Sequence, residues 1–278
     1  MTTRARPALT VENVDAMTVT MLGPAWAGIL LALVAVGVLA HLLLRGRPLR
    51  QRRAGLAVLA AVCMGASITF HLAYLADPAV SFPLWQNLPL HLCTIVSFLL
   101  LPTVLTSARP LQALCFYPGA IAGFLAFFSA APMYWDHPVW SAKTLFFVAH
   151  GLNFVIPTLM ASLGVYRPTA KDAVLSIGYL VVLAFLVLPV TLVLRAVADP
   201  GANYMYVFDP EGAPILVLFH NLIPLPLLYE LPLLLAIVPV LLLQLALFRV
   251  VMLAADRVAP GVRPIRERWT PVEPAVTS

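Results

Sequence analysis

Apolar residues in this chain come in runs of about twenty, separated by short stretches that hold nearly all of the charge. A helix of that length crosses the ~30 Å hydrocarbon layer of a bilayer. Runs bounded by charge, Pro or Gly predict spans over Leu22–Leu44, Ala54–Leu75, Pro89–Thr106, Leu111–Ala131, Thr144–Leu163 and Ala173–Leu194. A last apolar stretch, Ile215–Phe248, would measure ~51 Å as one straight helix, too long for the layer. Pro224, Pro226, Pro232 and Pro239 interrupt it, and each proline removes a backbone donor and kinks or breaks a helix. The economical reading is a short non-spanning segment, Ile215–Pro224, and a seventh span from Leu225 to Phe248. The predicted fold class is therefore all-α, a polytopic transmembrane bundle of about seven spans. Its expected divisions are an extracytoplasmic segment 1–21, a bundle 22–253 and a disordered cytoplasmic tail 254–278, rich in Pro and Arg.

Composition supports this: 62% of the 278 residues are apolar and only 10% are charged, against roughly a quarter charged in a soluble domain. Charge then orients the bundle, because basic residues are retained on the cytoplasmic side. Arg45, Arg47, Arg50, Arg52, Arg53, Arg109, Arg167, Lys171, Arg249, Arg257, Arg263, Arg266 and Arg268 fall on one face, and only Arg4, Arg6, Lys143 and Arg195 on the other. That asymmetry, with an odd number of spans, puts the N-terminus outside and the C-terminus in the cytoplasm. Trp26, Trp85, Trp135 and Trp140 map to the outer boundary, where amphipathic rings prefer to sit. The first apolar run is too long, and too far from Arg4 and Arg6, for a signal peptide. The net charge of +5 does not signal nucleic acid, since the basic residues neither alternate with aromatics nor cluster on an amphipathic face. Cys63, Cys93 and Cys115 lie inside apolar runs at irregular spacing, which excludes a disulfide framework and a zinc ribbon.

Polar groups are costly in hydrocarbon, so their positions are the most informative feature left. His71 lies near the outer end of span two, and His91 and Cys93 at the outer start of span three. His150 and Asn153 lie two turns into span five, His220, Asn221 and Glu230 flank the entry to span seven, and Asn203, Tyr204 and Tyr206 occupy the outer loop before it. Taken singly, each has a structural explanation: an interfacial histidine, a cysteine packed as a small hydrophobe, an asparagine bridging helices. Their common depth instead suggests a polar cavity in the outer half of the bilayer. On a helix His91 and Cys93 would point ~200° apart, so a base for a Cys93 nucleophile has to come from another span. His150 has the matching depth, and Asn153, on the same helical face, is placed to orient substrate or stabilise an oxyanion.

The run Leu88-Pro89-Leu90-His91-Leu92-Cys93-Thr94-Ile95, the segment Phe116-Tyr117-Pro118-Gly119-Ala120, His150 and Asn203-Tyr204-Met205-Tyr206 resemble the YwaF-type bacterial integral membrane family. That family is in turn similar to the eukaryotic transmembrane protein 164, described as a cysteine-dependent phospholipid acyltransferase. The resemblance covers about Leu56 to Phe248 and implies that Cys93 accepts an acyl group and His150 is its partner. Ile223-Pro224-Leu225-Pro226 departs from the aromatic-proline-aromatic entry to the last span found in such proteins.

The preferred expectation is a membrane-embedded acyltransferase or lipid hydrolase acting on phospholipid acyl esters near the outer headgroup level. Cys93 and His150 are its expected catalytic pair. His91, Asn153, Asn203, Tyr204, His71, His220 and Glu230 are expected to bind substrate, with no metal and no cofactor. Phospholipid is the expected partner, and the bacterial cytoplasmic membrane the expected location. Two alternatives remain. One is a transporter or permeation protein whose ionisable groups line a path, against which the inner halves of the spans are almost purely apolar. The other is a metal or haem site built from the histidines and Cys93.

Overall fold

A computed structural model describes residues 17–76, 88–129, 134–211 and 214–258. Trp85, most of the N-terminal segment and the tail beyond residue 258 lie outside these described residues. The helices are α1 (Pro24–Leu44), α2 (Leu49–Ala76), α3 (Leu92–Thr106), α4 (Arg109–Leu114), α5 (Ala120–Ser129), α6 (Thr144–Ser162), α7 (Ala170–Val197), α8 (Pro214–Leu222) and α9 (Leu231–Val258). A π-helical turn, Cys115–Gly119, joins α4 to α5 into one continuous crossing. Among the described residues six helices are long and apolar enough to span a membrane, and α3 is a shorter apolar helix. The chain is therefore an all-α polytopic bundle. The nine-residue α8 is the short segment expected before the last span, cut off by Pro224 and Pro226.

Local signals explain the helix ends. Pro24 occupies the first turn of α1, where its missing N–H costs nothing. Thr169 and Asp172 form a reciprocal capping box at the start of α7. Gly164, with φ 73°, ends α6 in the left-handed conformation that glycine adopts without strain. Side-chain contacts gather the arginine-bearing ends on one side. Arg52 donates to the carbonyls of Arg45 and Leu163 at 3.0 and 2.7 Å, tying the ends of α1 and α6 to the start of α2. Arg109 forms a bidentate pair with Asp172, both N–O distances being 2.8 Å, joining the starts of α4 and α7. At the opposite end, called here the far side, a two-residue ribbon pairs Thr18 with Pro138 and Val19 with His137.

The centre of the bundle is α6, with twelve of its nineteen residues buried. By contrast α1 buries only Trp26, Ile29 and Leu33, a stripe at helical spacing that packs inward while the rest of the helix faces lipid. Close approach to α6 requires Gly123 on α5. A methyl group there would lie 2.5 Å from the His150 carbonyl oxygen and 2.9 Å from Asn153 Cβ. Gly123→Ala is expected to destabilise the fold by about 1–3 kcal/mol, the usual cost of overpacking. Gly65→Ala, with nothing within 4 Å of the new carbon, is expected to be neutral or stabilising by up to about 1 kcal/mol through helix propensity. Denaturation of both variants in detergent checks this contrast.

Candidate functional site

Asn153 is the joint on which the site is built. It is fully buried, so its amide must find partners inside the protein. Its Nδ2 donates to the Cys93 carbonyl at 2.8 Å. Its Oδ1 accepts from the Cys63 thiol at 3.4 Å, and the Ser97 hydroxyl lies 3.1 Å from it. The Ser97 hydroxyl is also 3.1 Å from the Cys93 carbonyl. One side chain of α6 thus clamps α2 and the first turn of α3, and brings Cys93 beside the turn of α6 that carries His150.

His91 stands outside the helix. It is the N-cap of α3, with extended backbone at φ −77°, ψ 149°, and Ile95 N–H makes the first intrahelical bond to its carbonyl. The ~200° divergence expected for two residues on one helix therefore does not apply to His91 and Cys93. The helix start expected at Pro89 is thus delayed to Leu92. Cys93 becomes the second residue of α3, in the turn whose N–H groups have no carbonyl within the helix. The residue as a whole is half-buried.

His150 Nδ1 lies 2.7 Å from the Phe146 carbonyl oxygen. A carbonyl only accepts, so Nδ1 carries the proton and the neutral ring offers a lone pair at Nε2. His71 repeats the arrangement one helix away, with Nδ1 2.7 Å from the Ser67 carbonyl. His71 is also within electrostatic reach of both His91 and His150. The His150 ring packs on Phe146 with centroids 4.0 Å apart, and Phe146 stacks on Tyr134 at 4.1 Å. No hydrogen bond joins the Cys93 thiol to His150 among the described residues.

The loop 203–211 closes the site from the far side. Tyr204 and Tyr206 place their rings 5.1 and 5.7 Å from that of His91. This needs Met205 and Tyr206 in the left-handed region, at φ 59° and 62°, a conformation costing roughly 1–3 kcal/mol per non-glycine residue unless its surroundings enforce it. They do. Asn203 Oδ1 accepts from Phe208 N–H at 2.9 Å and Asp209 N–H at 3.3 Å, and its Nδ2 donates to the Asp209 carbonyl and Glu211 Oε1. Tyr204 Oη accepts from Leu88 N–H at 3.1 Å, and the Tyr229 hydroxyl donates to the Tyr206 carbonyl. Burial pushes the Glu211 carboxyl above the usual range, with the Asn203 amide opposing the shift. Burial also raises the Tyr206 hydroxyl, as do the nearby Glu211 and Cys93.

The structure thus brings together His71, His91, Cys93, His150, Asn153 and Tyr204. Asn203 is spent on the loop's own backbone. His220 and Glu230 lie apart, His220 edge-on to Tyr229 at 5.1 Å and Glu230 with a buried, unpartnered Oε1. Their segment meets the loop 203–211 through the Tyr229–Tyr206 bond and through Leu227 N–H, which donates to the Val207 carbonyl at 2.7 Å. Among the described residues no three His, Cys, Asp or Glu side chains converge in a way that holds a metal ion. Cys63 and Ser97 are partners that sequence reasoning missed. So is Gln244, the one amide in α9, which donates at 2.6 Å to the Phe116 carbonyl in the π-turn. A lone glutamine in an apolar run was the available signal.

Bundle and site together define a multi-pass integral membrane protein with a polar cluster near one face. The chain belongs to the TMEM164 family, whose model matches residues 20–250. No curated protein and no solved structure matches it.

Proposed function

We propose that the protein is a cysteine-dependent acyltransferase or hydrolase acting on the acyl esters of membrane phospholipids. The observation that carries this reading is the Asn153 clamp. It ties the first turn of the helix that carries Cys93 to the helix that carries His150, whose Nδ1 is held by the Phe146 carbonyl so that Nε2 is left as the basic nitrogen. In the reaction, His150 Nε2 takes the Cys93 proton and the sulfur attacks the ester carbonyl. The tetrahedral intermediate collapses to a thioester and expels the lysolipid oxygen, which takes the proton from His150. A hydroxyl of a second lysolipid, or water, then gives its proton to His150 and attacks the thioester. The new ester or free acid departs, and the proton returns to Cys93. Substrate entry tightens the thiol–imidazole contact, as is common for catalytic hydrogen bonds that are loose without substrate.

The same placement supplies the oxyanion site. The first turn of α3, whose N–H groups have no carbonyl within the helix, is the positive end of its dipole and suits a developing negative charge. Asn153 acts as a positioning residue, its amide being committed to the clamp. The fifteen residues of α3 make it ~22 Å long, against a ~30 Å hydrocarbon layer. With its C-terminal end at the arginine-rich face, its first turn is recessed below the far boundary of that layer, beside the acyl chains just beneath the ester level. The test is transfer of a labelled acyl chain from phospholipid to lysolipid by purified protein in proteoliposomes. Wild type is expected to transfer and Cys93→Ala to lose transfer; undiminished transfer by that variant contradicts the reading.

A further inference from the structure

We propose that a groove on the arginine-rich side, between the first turn of α2 and the last turn of α3, binds one anionic phospholipid. The groove is open on one side, holds about 420 Å³ and is lined by Leu49, Arg50, Arg53, Ala54 and Leu105. Its chemistry is divided. Arg50 and Arg53, three residues apart, share a helical face. Leu49, Ala54 and Leu105 form an apolar wall, and the two leucines are exposed on the bundle's surface, where acyl chains run.

Charge complementarity selects the occupant. Arg45, Arg47, Arg50, Arg52 and Arg53 crowd the start of α2, and between Leu44 and Gln112 the sequence holds only one acid, Asp77, just past the other end of that helix. Cations at a helix N-terminus oppose its dipole, so α2 itself does not offset this positive charge. Arg52 is committed to three backbone carbonyls, and Asp172 is taken by Arg109. Among the described residues Arg50 and Arg53 have no acidic partner, and Arg53 Nε is enclosed without a hydrogen-bond acceptor, although buried donors are nearly always satisfied. A phosphodiester at the lip would accept from both guanidinium groups, the geometry arginine suits best, while its acyl chains lie along the leucine wall. This site lies at the opposite face from the Cys93 cluster and does not depend on the proposed reaction.

Native mass spectrometry of the full chain tests the site, using micelles with equal amounts of phosphatidylglycerol and phosphatidylcholine of matched chains. Wild type is expected to retain one phosphatidylglycerol preferentially. The Arg50→Gln/Arg53→Gln double variant is expected to lose that preference by roughly 25-fold, at roughly fivefold per arginine. Ala54→Trp, which fills the groove without changing charge, is expected to lose it too. Arg47→Gln removes an equal charge outside the groove and is expected to keep it. Equal loss with Arg47→Gln overturns the proposal in favour of diffuse attraction. Equal retention of glycerol phosphate, which has no chains, overturns the apolar half of the site.

Discussion

His150→Ala is expected to lower acyl transfer by roughly 10²–10⁴-fold, the range a positioned general base supplies. The loss should fall on turnover rather than on apparent affinity for lipid, because the imidazole's contribution is realised as the proton moves. His150→Gln offers no comparable lone pair to the thiol and should be nearly as poor. Adding Cys93→Ala to His150→Ala should cost no more than Cys93→Ala alone, since the two groups act as a unit. His71→Ala, which removes a histidine from the same cluster but not the base, should retain most of the rate. Turnover of these variants in matched proteoliposomes checks the pattern, and a His71 effect as large as that of His150 would reassign the base.

The second large effect is on stability. Asn153→Leu removes an amide that serves three helices and replaces it with a bulkier, non-bonding group. It leaves the Cys93 carbonyl, the Cys63 thiol and the Ser97 hydroxyl without their shared partner. Ser97 and Cys63 keep backbone acceptors, in the Cys93 and Ala149 carbonyls at 3.1 and 3.5 Å, so the full price of each lost bond is not incurred. A buried group stripped of its partner costs about 1–3 kcal/mol, and interhelical bonds in membranes average nearer 0.6 kcal/mol. The expected total is about 2–4 kcal/mol, read from chemical denaturation in mixed micelles. Ser97→Ala removes one member of the network and should cost less than half as much. If Asn153→Leu denatures like wild type, the clamp does not hold these helices together.

The bundle was readable in the sequence because membrane spans announce themselves by length and apolarity, and prolines 224 and 226 marked the break before α9. Depth was readable too, since His71, His91, Cys93 and His150 could each be assigned to the far half from their distance to a run's end. What sequence could not supply was direction around each helix axis. His220 and Glu230 share the depth of the cluster, but α8 and the turn after it carry them to Tyr229 instead. Asn203 looked like a ligand-binding amide, and its four hydrogen bonds within 203–211 were invisible without the loop's path. Cys63 read as a small packing residue and Ser97 carried no signal, until Asn153 is seen to face both. The helix start at Leu92 was not legible, since Pro89 is itself acceptable in a first helical turn, and it changes the picture most, because it puts Cys93 in the first turn of α3.

The most direct measurement maps the covalent intermediate. Purified protein is incubated with phospholipid carrying an isotope-labelled acyl chain, quenched in acid, digested and analysed by mass spectrometry. A thioester on the peptide containing Cys93, removed by neutral hydroxylamine and missing from Cys93→Ala, is the predicted result. Acyl transfer that proceeds at full rate with no adduct on Cys93, or with the label fixed on another residue, contradicts the account.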